Sequence, residues 1–223
     1  MTTDAAFLKA LMMWKEPMTD AVSCEIDPVD YSCDNGLLFS AEAYAITGCC
    51  LAAYSFSDVA LQYEQSAGAL LRHPTSTELT SWDDHLAAAA VSTFMAKRIL
   101  AYGEANHWTW GGKYLGRFPI FIPTVKASAG VKLTLTERLA ASLAFIANMF
   151  EGYPHTSGKL LLWLASRALY GKYFTLDRVI NLWRFVQGRR YKTAGLREVM
   201  GIYFKPRNGV PHPFSVYAPK EFK

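Results

Sequence analysis

Four carboxylates of this chain are of the right type and setting to share chemistry: Asp34, Glu42, Asp83 and Asp84. Asp34-Asn35-Gly36 and Ser81-Trp82-Asp83-Asp84-His85 each introduce an apolar, helix-like run, so both read as helix starts. A helix start carrying more acid than capping needs presents its carboxylates from a rigid base. Glu42 lies seven positions after Asn35, about two turns on and on the same helical face. Set among Ala41, Ala43, Tyr44 and Ala45, its carboxyl is expected to be partly desolvated, which raises a carboxylic pKa toward that of a general acid. Two such groups flanking a glycosidic bond can protonate the leaving oxygen and either activate water or attack the sugar carbon. A plainer reading stands beside this one, in which Asp34 and Asp83 cap helices and Glu42 pairs with an arginine.

Around these acids lie groups suited to holding a sugar. Trp82, Trp108, Trp110, Tyr114 and His107 offer flat faces with polar edges, and Asn35 and His85 offer hydrogen-bonding groups beside the acids. Arg72 and Arg117 occur in similar settings, Arg72-His73-Pro74 and Arg117-Phe118-Pro119, where either can clamp a carboxylate or neutralise the aspartates. No metal or other cofactor is expected. Asp83, Asp84 and His85 are consecutive and fan out by ~100° each on a helix, too widely to bind one ion alone. The run Asp27, Asp30, Asp34, Gly36 fails as a calcium loop, because Tyr31 falls where the first acidic ligand must stand. Phosphate-cradling glycine loops, nucleophile elbows and HExxH helices are absent from the sequence.

Positioning such groups falls to a chain of 223 residues, 51% of them apolar, enough for one substantial core and one domain spanning 1–223. Cys24, Cys33, Cys49 and Cys50 form no CxxC pair and have no matching histidine spacing, which fits reduced thiols in a cytosolic setting. The opening Met-Thr-Thr-Asp-Ala-Ala lacks a basic leader region, and no apolar run approaches the ~20 residues of a bilayer span. Charge is uneven: residues 1–112 carry 5 basic and 14 acidic side chains, and residues 113–223 carry 18 and 5. Two packed halves with complementary rims account for this, as does an acidic cleft opposed by a basic face. Arg184, Arg189, Arg190, Lys192 and Arg197 cluster around Tyr191 without any nucleic-acid motif, so nucleic acid is not the expected partner.

Apolar spacing near 3.6 predicts helices over 5–14, from about 37 to 48, over 56–71, and from Trp82 through Ala87 to Ala90 to about Tyr102, with Gly103 as C-cap. Residues 106–123 read as connections. Further helices are predicted from Thr136-Glu137 with Leu139, Leu143, Ile146 and Phe150 on one face, from Ser157-Gly158, from Thr175, and from Ala194 to Tyr203. Pro206, Pro211, Pro213 and Pro219 mark an extended tail from about 206. Strand signals are weak, so the expected class is all-α: an irregular bundle or partial toroid of about seven or eight helices.

The series Asp34-Asn35-Gly36-Leu37-Leu38-Phe39-Ser40-Ala41-Glu42, Arg72-x-Pro74, Ser81-x-Asp83-Asp84, Tyr102-Gly103 and Trp108 resembles a group of tailed-bacteriophage proteins. More distantly, it resembles helical-toroid enzymes that cleave polysaccharides by hydrolysis or elimination. The likeness covers about residues 30 to 120. It implies a phage-encoded protein made in the host cytoplasm that acts on or binds a cell-envelope or capsular glycan, as a glycoside hydrolase or polysaccharide lyase if it is an enzyme. The other expectation is a non-catalytic virion or accessory protein, associated with the particle, whose acidic and basic halves contact neighbouring subunits.

Overall fold

The computed structural model describes residues 55–117 and 119–151, together with isolated positions between 6 and 44 and between 165 and 216. Of the predicted helices over 5–14 and 37–48, those beyond 157, and the tail from about 206, only those isolated positions are described, and the rest lies outside the described residues. The described part is mostly helical, with two small antiparallel hairpins.

Helix α1 (Phe56–Gln62) begins at Ser55, whose hydroxyl accepts the Asp58 N–H. It is followed by strands β1 (Glu64–Ser66) and β2 (Ala69–Leu70), where a longer helix to residue 71 was expected. The cause is Gly68, with φ +86°: its missing side chain lets the turn lie against the Arg98 carbonyl, which an added Cβ would meet at 2.3 Å. Glu64 fixes the turn by accepting the Gly68 N–H at 2.8 Å.

The long helix expected from Trp82 is two helices, α2 (Trp82–Val91) and α3 (Thr93–Ala105). Ser92 divides them. Its backbone is extended, and its hydroxyl accepts the Met95 N–H, so one residue ends α2 and caps α3. Gly103 lies within α3 and is no cap; the C-cap is Asn106. The Trp108 indole rests on Gly103, where a Cβ would come within 2.6 Å of the ring. His107 and Trp108 both take positive φ, 49° and 56°, closing the helix with a bond from the Trp108 N–H to the Gly103 carbonyl.

Strands β3 (Thr109–Trp110) and β4 (Lys113–Tyr114) follow, joined at Gly111-Gly112, both with positive φ. A 3-10 turn (Leu115–Arg117) leads to helix α4 (Phe121–Ser128), in a stretch expected to be irregular. Pro123 is tolerated because it sits in the first turn, where no intrahelical N–H bond is required. Helix α5 (Leu135–Glu151) opens with a reciprocal cap: Thr134 and Glu137 each accept the other's backbone N–H.

Helices α2, α3 and α4 pack against one another, α1 leans on α3, and α5 on α4. Buried Ala87, Ala88 and Ala89 let α2 approach its neighbours closely, around Leu86, Met95, Ile99, Phe121 and Val125.

Candidate functional site

At the start of α2, alternate sides of one helical turn do different work. Asp84 and His85 point inward, 2% and 0% exposed. The Thr80 hydroxyl donates to the Asp84 carboxylate. His85 Nε2 accepts the Leu70 N–H at 3.1 Å and Nδ1 lies 2.8 Å from the Ser81 carbonyl, so the proton resides on Nδ1 and the ring is neutral. Burial pushes the imidazole pKa down to about 4, against the opposing pull of the Ser81 carbonyl and the Asp83 charge. Both residues therefore join β2 and the 71–80 loop to α2. In this geometry both side chains, expected from the sequence at acid–base work and ligand contact respectively, are buried and hydrogen-bonded within the frame.

Trp82 and Asp83 are half-buried. Asp83 accepts the Ser81 hydroxyl at the helix N-terminus, where a carboxylate also complements the helix dipole. Trp82 forms a wall of a groove of about 470 Å³ with Arg72, Leu79, Ser81, Lys113, Tyr114 and Leu115. A second hollow of about 480 Å³ shares Leu79, Lys113 and Leu115 and continues to Gln65, Thr77, Glu78, Tyr102 and Trp110. Two loops make this region: the 71–80 segment, held as a ribbon by the Leu71–Leu79 bridge and the Arg72 N–H to Glu78 carbonyl bond, and the β3–β4 hairpin. Arg72 reaches Glu78 at 3.9 Å, between side chains 46% and 71% exposed.

The remaining aromatics divide. Trp110 is buried within a ring cluster, 5.5 Å from His85, 5.1 Å from Tyr102 and 6.2 Å from Trp108, while Trp108 meets Phe121 edge-on at 5.9 Å. These are core contacts that hold the β3–β4 hairpin on α3 and α4. The buried Trp110 indole N–H has no hydrogen-bond partner among the described residues. His107 is exposed at the end of α3, and Arg117 lies in the 3-10 turn. Asp34, Asn35 and Glu42 lie outside the described residues, so the meeting of Asp34 with Asp83 is not part of the described geometry.

The structure thus brings Arg72 and Trp82 together and adds Lys113, which the sequence reading passed over. A signal for it existed: Gly111-Gly112 between Thr109-Trp110 and Lys113-Tyr114 is a two-residue hairpin turn, and a hairpin there carries Lys113 and Tyr114 back toward Trp82. Among the described residues no group of three or more His, Cys, Asp or Glu side chains is arranged to hold a metal ion, and no helix is long and apolar enough to cross a membrane. Comparison with protein-family models, with curated proteins and with solved structures gives no match, so the geometry of the groove carries the functional argument.

Proposed function

We propose that this is a phage-encoded glycan-binding protein that holds its ligand in the groove between the 71–80 loop and the β3–β4 hairpin. The carrying observation is the meeting of Trp82 and Tyr114, from separate loops, with Arg72, Lys113 and Ser81 in one groove. Aromatic faces offer apolar contact to the C–H side of a sugar ring, and the polar groups between them serve its hydroxyls. The adjoining hollow, which shares Leu79, Lys113 and Leu115 with the groove, enlarges the surface available to a ligand. In its enzymatic form, as a glycoside hydrolase or polysaccharide lyase, the reading makes Asp83 one acid and draws the second from Asp34 or Glu42. The proposed frame around the groove is an irregular bundle or partial toroid of seven or eight helices.

Full-length protein titrated with envelope or capsular oligosaccharides tests the reading. Trp82→Ala, with an unchanged circular dichroism spectrum, is expected to weaken binding at least tenfold, the scale of losing one buried aromatic contact. Unaltered affinity would sink it.

A second reading, a virion subunit, is favoured by one observation: Leu135, Leu139, Leu143 and Ile146 form an exposed apolar stripe along α5, 48% to 74% accessible.

A further inference from the structure

We draw no further inference here: the strongest candidate, the exposed apolar stripe of Leu135, Leu139, Leu143 and Ile146 along α5, carries none because nothing among the described residues shows what covers it.

Discussion

His85 is the residue at which sequence and surroundings differ most. Next to two aspartates it resembles a base, yet its ring is enclosed, with one nitrogen accepting the Leu70 N–H and the other facing the Ser81 carbonyl. Its folded pKa, about 4, lies below the 6.5 of the unfolded chain, so the unfolded state takes up the proton first as pH falls. The stability it confers is complete above pH 6.5 and is lost as pH falls toward 4, on the order of 3 kcal/mol in all. Chemical unfolding at pH 7, 6, 5 and 4 should show this slope, and the His85 imidazole resonances should remain those of the neutral ring at pH 5. A ring that titrates near 6.5 in the folded protein would contradict the enclosure. Glu137 acts in the same direction at lower pH: the Lys126 ammonium and the Thr134 cap hold its carboxyl down to about 2, so its contribution declines only below about pH 4.5.

At the level of elements, the β1–β2 hairpin depends on a pair no local pattern announces. Glu64 receives Arg98 through both carboxylate oxygens, at 2.6 to 3.1 Å, with Glu64 only 7% exposed, while one of the same oxygens holds the Gly68 N–H. The pairing raises the guanidinium pKa further. Glu64→Gln keeps an acceptor for Gly68 but removes the charge, and is expected to cost about 2 kcal/mol in a denaturant melt; a loss under about 0.5 kcal/mol would show that the bridge is marginal. The partners are 34 residues apart, which is why the sequence did not disclose them. What could be read were the long periodic features: the starts of α2 and α5, the alanine block, and the predominance of helix. What could not were strands of two or three residues, too short to alternate, and the break at Ser92, where a serine inside an apolar run marks a cap only once its hydroxyl is seen on the Met95 N–H. Of the site, Arg72 and Trp82 were legible by type, whereas their convergence with Lys113 depends on where two loops fold.

For the molecule as a whole, α5 decides between the two functional readings. It turns Ala141 and Phe145 to the core and leaves Leu135, Leu139, Leu143 and Ile146 exposed. If this stripe meets neighbouring subunits, Leu139→Glu and Leu143→Glu should leave thermal stability within about 0.5 kcal/mol of the parent while abolishing assembly in sedimentation velocity. Unfolding of either variant would instead show that the stripe is covered within a single chain, and would remove the support for a virion subunit.

The anchoring of α2 has one more effect. Because Asp84 and His85 tie the first turn to the interior, the wall bearing Trp82 is set in place before any ligand arrives, and adjustment on docking is left to the rim between residues 73 and 78. Such preorganisation spares the ordering entropy that a floppy platform would lose on association, so discrimination between ligands should arise in how long each one stays rather than in how quickly it is captured.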